Sequence, residues 1–536
     1  MNYQFDRLTK PVFFAAALSV AGMFPAKASA EEITLRSSDG SVNVMGEFLE
    51  FTDGNYVIRS DLGDLTISAV GMTCEGAACP DAGRAPVASG EIKIVGSDDI
   101  GVGLMPLLMG GYSTYLDALI EFGDTGSDLE MQVNFVADQG YGDPIGGYHV
   151  TSKSSGDGFK ALLDGSADIA MSVRRVTPDE ARALRDAGAG NMISPKQEHI
   201  IAVDTKLVLV HPSSPLSSVT VDNLARIFSG EITNWSEVGG PDLPILVVIH
   251  GEDTHGTDTG TMSVVQIRVF GGRIPPLPPN YVTAENSDIA SDMVAADAGA
   301  IAMVGHAFQR GSKVLNLVNY CGLEMVADSF SAKTEEYLLE RRFYLYHRAD
   351  VKGDLIDKFI QYATSEAADE VIAQSGFVDL GVEVRSQAME SPRAKQLLDA
   401  EVPDFEANVM REMLAEMTKL DRVSTTFRFR TGSSALDERA ILDLERLTKF
   451  LEAKPEGTVV AFVGFSDDVG EFDPNRQLSK GRAEQVMAEV QKHAGGRLPH
   501  ITFAANGFGE ISPVACNDGE VGRAINRRVE VWISKA

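Results

Sequence analysis

At 536 residues the chain is long enough for about three or four domains, each able to bury a core of its own. Its formal charge of -30 becomes -32 without Asp6, Arg7, Lys10 and Lys27, and so acidic a chain is a poor partner for nucleic acid, which is bound through basic phosphate contacts. Four cysteines suit an oxidising compartment, and Cys74 and Cys79 are close enough for a local disulfide, with no neighbouring pair to suggest a zinc ribbon. Whether Cys321 and Cys516 pair depends on domain packing that the sequence does not give, so a disulfide between them is left open.

Arg7 and Lys10 precede an apolar run from Val12 to Phe24, and Ala28-Ser29-Ala30 supplies the small residues of a cleavage site. Residues 1–30 are therefore predicted to be a signal peptide, with the mature chain starting at Glu31. No cysteine precedes Cys74, which argues against a lipoprotein attachment at the signal's end, and no later segment approaches about 18 uncharged apolar residues. The mature chain is expected in the periplasm, with no transmembrane segment.

Residues 31–85 read as a small all-β module. Ile33–Arg36, Asn43–Glu50, Tyr56–Arg59 and Leu65–Ser68 are short β-rich runs separated by Ser38-Asp39-Gly40, Thr52-Asp53-Gly54-Asn55 and Leu62-Gly63-Asp64. A Gly/Ala/Pro-rich joint, Gly76 to Gly90, leads into an α/β region over residues 86–385. There Glu91–Ser97 reads as a strand entering a Gly-Ser turn, a helical stretch starts at Met105, a helix begins after Ser154-Ser155-Gly156-Asp157-Gly158, and Asp168–Ser172 is the next strand. Such turns aim backbone N–H groups at strand ends, an arrangement that captures anions without a full countercharge.

Phe228-Ser229-Gly230-Glu231-Ile232-Thr233-Asn234-Trp235-Ser236-Glu237-Val238-Gly239-Gly240, with Val95-Gly96-Ser97, Ser155–Leu162, Ala167–Ser172 and His255-Gly256-Thr257, resembles the phosphate-binding (PstS-like) periplasmic proteins of ABC transporters. The resemblance implies a two-lobed, hinged α/β periplasmic-binding-protein fold of type II, a small oxyanion such as phosphate as ligand, and an ABC permease as partner. Carried onto matching positions, it assigns the anion to Ser97, Asp98 and Asp99 in the first loop. Ser154, Ser155, Gly156, Ser172 and Arg174 belong to the second loop, and His255, Gly256 and Thr257 to the third. The chain departs from the family's hydroxyl-rich first loop with Asp98 and Asp99, and its third loop, Gly251–Thr257, lacks the usual arginine and has His255 in place of a serine. Two added carboxylates facing phosphate would repel it. Arg174 and Arg175 either compensate or form a surface basic pair. His250, Glu252, Asp253 and His255, with Asp98 and Asp99, leave a metal or cationic ligand as an alternative, although their spacing matches no metal motif.

Residues 386–420 are polar, with Met410, Met413, Leu414 and Met417 on one stripe, and read as a helical linker. Residues 421–536 then alternate strand and helix, with helix Ala440 to Ala453 and strands at Thr458–Val463, Ile501–Ala505 and Arg528–Ile533, the last alternating as a half-buried strand. No series of alternating ten-residue segments of the outer-membrane-barrel kind occurs. Asp467 follows an apolar strand, and Arg482 falls in the first turns of a helix whose apolar positions are Leu478, Val486 and Val490. Together they form a carboxylate and a guanidinium able to hold a zwitterion.

Ser466, Asp467, Gly470, Asn475, Leu478, Ser479, Arg482, Ala483, Gly522, Arg523, Asn526, Arg527, Arg528, Val529 and Glu530 match the pattern of the OmpA-like peptidoglycan-associated domain, which this region resembles from Thr425 onward. The resemblance implies binding of the diaminopimelate side chain of the cell-wall peptide by Asp467 and Arg482. Ser466, Asn475, Leu478, Asn526, Arg527 and Arg528 are the further positions that it assigns to peptidoglycan binding.

The chain lacks G-x-S-x-G, H-E-x-x-H and a Walker phosphate loop, so neither an enzyme nor a cofactor is indicated. The combined expectation is a periplasmic solute-binding protein, for phosphate or a related oxyanion, anchored non-covalently to peptidoglycan in a Gram-negative cell envelope. The alternative is a wall-bound envelope scaffold or sensor whose binding fold has lost phosphate or takes another ligand, such as a metal.

Overall fold

A computed structural model of the chain describes residues 32–37, 43–52, 55–60, 63–68, 72–76 and 79, and residues 91–535 apart from 138–143, 251–259, 274–275, 352–353, 400–403, 430–435 and 437. The predicted signal peptide and the third anion loop, with His255, Gly256 and Thr257, lie outside the described residues. The chain divides into two units at Val87 and Ala88.

The N-terminal unit is one antiparallel sheet in the order Gly63–Ser68, Asn55–Ser60, Asn43–Thr52, Glu32–Ser37, Met72–Glu75. Alternation places Ile33, Leu35, Tyr56 and Ile58 on one buried face, with the rings of Phe51 and Tyr56 4.8 Å apart. Cys74 and Cys79 are disulfide-bonded against this cluster. A core this small gains from a covalent staple.

The second unit opens with a two-lobed α/β fold. In the first lobe Ile169–Ser172, Glu91–Ser97 and Pro144–Lys153 run parallel to one another. Ile169–Ser172 is buried throughout, as expected of a strand covered on both faces by helices. Tyr112, Phe135, Tyr148 and Phe359 fill this lobe's core with edge-to-face and tilted rings at 5.3 to 6.1 Å. In the second lobe Leu246–His250 lies parallel to Tyr281–Ala284 and Ala300–Gly305. There the Trp235 indole donates to the Gly299 carbonyl at 2.9 Å.

One strand serves both lobes. Glu198–Val210 pairs through its first part with Glu340–His347 and through its second with Ala300–Gly305 and Lys313–Val318, with a register shift between Ile200 and Ala202. Any hinge motion between the lobes must pass through this strand and its neighbour.

The C-terminal part is a sheet in the order Val384–Arg385, Leu420–Arg428, Arg528–Ser534, Val459–Gly464, Thr502–Gly507. Helices Glu438–Glu452 and Phe472–Ala494 cover one face through Leu447, Val486 and Val490. The region read as a linker contains helices Pro392–Asp399 and Asp404–Met417, which cover the other face with Met413 and Met417 against Phe465 and Trp532. The last strand is therefore buried on both faces rather than half-buried. Arg528 and Glu530 sit in its interior because they neutralise each other at 2.7 Å and Arg393 adds two bonds to Glu530, at 2.9 and 3.1 Å.

This domain docks on the binding fold. Arg422 pairs with Glu336, Arg428 with Glu335 at 2.9 Å, Arg385 with Asp328 at 2.6 Å, and Arg446 with Asp369. Cys321 and Cys516, whose pairing the sequence leaves open, are joined by a disulfide, because the docking brings their Cα atoms to 5.8 Å across 195 positions of sequence. Among the described residues no helix is long and apolar enough to cross a membrane.

Candidate functional site

Two glycines set the geometry around Asp467. A Cβ on Gly464 would lie 1.9 Å from the Ser479 carbonyl oxygen, and one on Gly507 would lie 2.4 Å from the Lys480 nitrogen. Only glycines let helix Phe472–Ala494 lie so close to the ends of strands Val459–Gly464 and Thr502–Gly507. The loop after the first strand is pinned by Phe465 N donating to Arg528 O at 2.8 Å and Ser466 N to Gly509 O at 2.9 Å.

Asp467 is 8% exposed, and its Oδ2 accepts from Arg527 Nη1 at 2.7 Å. The other Nη of Arg527 holds Glu520 at 2.7 Å. Arg482 carries its guanidinium carbon 5.5 Å from the centre of the Phe429 ring. Its Nη1 is buried with no hydrogen-bond partner among the described residues. Burial lowers its pKa, as does the Arg527 charge, while Asp467 acts in the opposite direction. Among the described residues no ion pair joins Arg482 to Asp467. A buried N–H without an acceptor is costly, and an anionic group would satisfy it. A held carboxylate beside a cation lacking an acceptor suits a zwitterion.

The remaining predicted residues divide. The Ser466 hydroxyl is buried without a partner among the described residues. Asn475 braces the loop, donating to Asp467 O at 3.3 Å and Glu510 Oε2 at 2.6 Å. Asn526 clamps the segment around Cys516 by accepting from Val514 N and Ala515 N and donating to Ala515 O. Arg528 belongs to the interior ion network, and Leu478 is 51% exposed, away from the buried stripe Asn475, Ser479, Ala483, Val486 and Val490. Arg482 lies well inside a helix that starts at Phe472, not in its first turns, because Pro474 is tolerated in the first turn. Phe429 and Glu520 were missed. Glu520 stands seven positions before Arg527, the spacing of one helical face, and that was its only signal.

At the end of strand Glu91–Ser97 in the first lobe, the Ser97 hydroxyl is buried without a partner among the described residues. Asp99 is not the bare repulsive charge expected from sequence. Arg341, from strand Glu340–His347, contacts it at 3.1 Å and holds Asp204 at 2.7 Å. Asp98 Oδ1 accepts from Asp99 N at 2.9 Å. Ser154 caps helix Ser155–Asp164 by accepting from Asp157 N at 3.1 Å, with Gly156 buried in the first turn. Ser155 Oγ accepts from Val173 N at 3.2 Å, and Ser172 Oγ donates to Arg174 O at 2.6 Å. Arg174 makes a two-pronged pair with Glu180 at 2.8 Å, and Arg175 pairs with Glu198 at 2.9 Å. Among the described residues no group of three or more His, Cys, Asp or Glu side chains is arranged to hold a metal.

Residues 108–367 match the family model described as a PBP superfamily domain, and residues 428–527 match the OmpA family model. The phosphate-binding protein PstS of Borreliella burgdorferi is 22% identical over 246 residues, which cover 43% of this chain and 78% of that protein. Outer membrane porin F of Pseudomonas fluorescens is 34% identical over 119 residues, covering 22% of this chain and 35% of the porin. The crystal structure of an ABC-type phosphate transport receptor from Vibrio cholerae aligns with a TM-score of 0.40 and 21% identity, covering 54% of this chain and 99% of that one. The chain thus joins a PBP superfamily domain to a C-terminal OmpA family domain.

Proposed function

We propose that this chain is a periplasmic solute-binding protein held non-covalently to peptidoglycan, with Asp467 and Arg482 gripping the zwitterionic diaminopimelate end of the wall peptide. The single observation that carries the anchor is the Arg482 Nη1, buried without an acceptor among the described residues, beside an Asp467 already fixed by Arg527. Asp467 would face the ligand ammonium and Arg482 its carboxylate. Ser466 would add a hydroxyl. The experiment is sedimentation of the whole protein with isolated peptidoglycan: it should pellet with the wall and be released by free meso-diaminopimelate. Protein that stays in the supernatant would contradict the anchor.

For the binding fold, the proposed ligand is a small oxyanion such as phosphate, received between the lobes and handed to an ABC permease. The buried Ser97 hydroxyl and the neutralisation of Asp99 by Arg341 support it. A second reading, a wall-bound scaffold or sensor without phosphate affinity, is favoured by the engagement of Arg174 with Glu180 and Arg175 with Glu198. Titration with phosphate separates the two.

A further inference from the structure

A cavity of about 890 Å³ lies where the C-terminal domain meets the two lobes. Arg174 and Arg175 line it from the first lobe, Val264 and Ile267 from the second, and Phe429 and Val521 from the C-terminal domain. Its volume falls among pockets of roughly 300–1,000 Å³ that take ligands of drug size, far beyond the needs of an inorganic oxyanion.

One of its walls, Phe429, is also a wall of the charged pair, and a second, Val521, follows a residue that braces it. Phe429 underlies the Arg482 guanidinium, and Glu520, next to Val521, holds the arginine that fixes Asp467. The cavity therefore adjoins the Asp467 and Arg482 site across the Phe429 ring. A second observation points to an occupant. Glu340 lines the cavity at 8% exposure, and its Oε2 has no hydrogen-bond partner among the described residues. Its other oxygen faces Arg268 at 3.4 Å. Burial raises its carboxyl pKa, with Arg268 opposing. A buried carboxyl oxygen without a partner among the described residues, beside guanidiniums and apolar side chains, suits an extended peptide with amide groups, carboxylates and small apolar side chains.

We propose that this cavity receives the part of the wall stem peptide extending beyond the zwitterionic residue, so that the binding fold and the C-terminal domain bind one ligand jointly. The inference rests on the anchor reading above, and the test separates the two. Calorimetry on the whole protein uses two probes: free meso-diaminopimelate and a soluble disaccharide–tetrapeptide fragment of peptidoglycan. Ile267→Trp and Val264→Trp, both on helix Gly260–Arg268 of the binding fold, project bulk into the cavity, and Ile267 is 65% exposed, so its substitution leaves the core intact. The fragment should bind the native protein more tightly than meso-diaminopimelate does. Each variant should weaken the fragment about tenfold and leave meso-diaminopimelate unchanged. Unchanged fragment affinity in both variants, or equal loss for both probes, would overturn the joint site while the anchor stands. Failure of the native protein to bind either probe would overturn the anchor and the joint site together.

Discussion

Arg527 divides its guanidinium between Asp467 and Glu520, at 2.7 Å each, while Arg482 on helix Phe472–Ala494 keeps a buried Nη1 without a partner among the described residues. One arginine is structural and orients the carboxylate. The other is the group with an unmet hydrogen bond, and it is therefore the one a ligand anion would contact.

The interior network around Glu530 makes a stability prediction. Glu530→Gln leaves the buried Arg528 and the partly buried Arg393 without their shared carboxylate. Removing one member of a buried pair costs about 3–5 kcal/mol. Trp532, whose indole donates to Glu530 at 2.9 Å, reports the transition by fluorescence. Its unfolding midpoint should fall sharply in the variant, and an unchanged midpoint would refute the role given to this network.

The docking of the two folds should be acid-labile. Burial works against ionisation of Glu335, but Arg342, Arg428 and Arg439 outweigh it and hold the carboxyl at about 2, below its ordinary 4.5. A depressed carboxyl contributes stability above 4.5 that is lost as the pH falls toward 2. Glu335→Gln should flatten the pH dependence of thermal unfolding in that window, and a profile as steep as the native one would count against this assignment.

Reduction offers a third check. The Cys321–Cys516 bond ties the second lobe to the segment that Asn526 clamps. Cys321→Ser with Cys516→Ser should lower the first calorimetric unfolding midpoint, with a loss of about 2–5 kcal/mol expected for a long closed loop. An unaltered thermogram would show that the ion pairs alone hold the domains together.

Phosphate titration tests the cleft. The native protein should give saturable heat, and Ser97→Ala should weaken binding roughly tenfold by removing a buried donor. No heat at millimolar phosphate from folded protein would favour the scaffold reading.

Much of this was legible in the sequence, for reasons that differ by element. Asp467, Arg482 and Arg527 were legible as candidates because they sit in dense local motifs that resemble the OmpA-like pattern. The buried stripe of helix Phe472–Ala494 was not, because Asn475, Ser479 and Ala483 are small or polar and carry no hydrophobic signal, whereas the misleading Leu478 does. The last strand looked half-buried because Arg528 and Glu530 alternate with Val529 and Val531. Only long-range partners such as Arg393, 137 positions from Glu530, let those charges lie inside. The Arg174–Glu180 pair was locally readable, since Thr177 and Glu180 form a capping box just beyond Arg174. Arg341, which neutralises Asp99 across 242 positions, had no such local sign.

The most direct test of the anchor compares native protein, Asp467→Ala and Arg482→Ala in sedimentation with isolated peptidoglycan, with circular dichroism confirming that each is folded. We expect native protein in the pellet and both folded variants in the supernatant. Pelleting of both variants at the native level would contradict the assignment of these two side chains to the wall peptide.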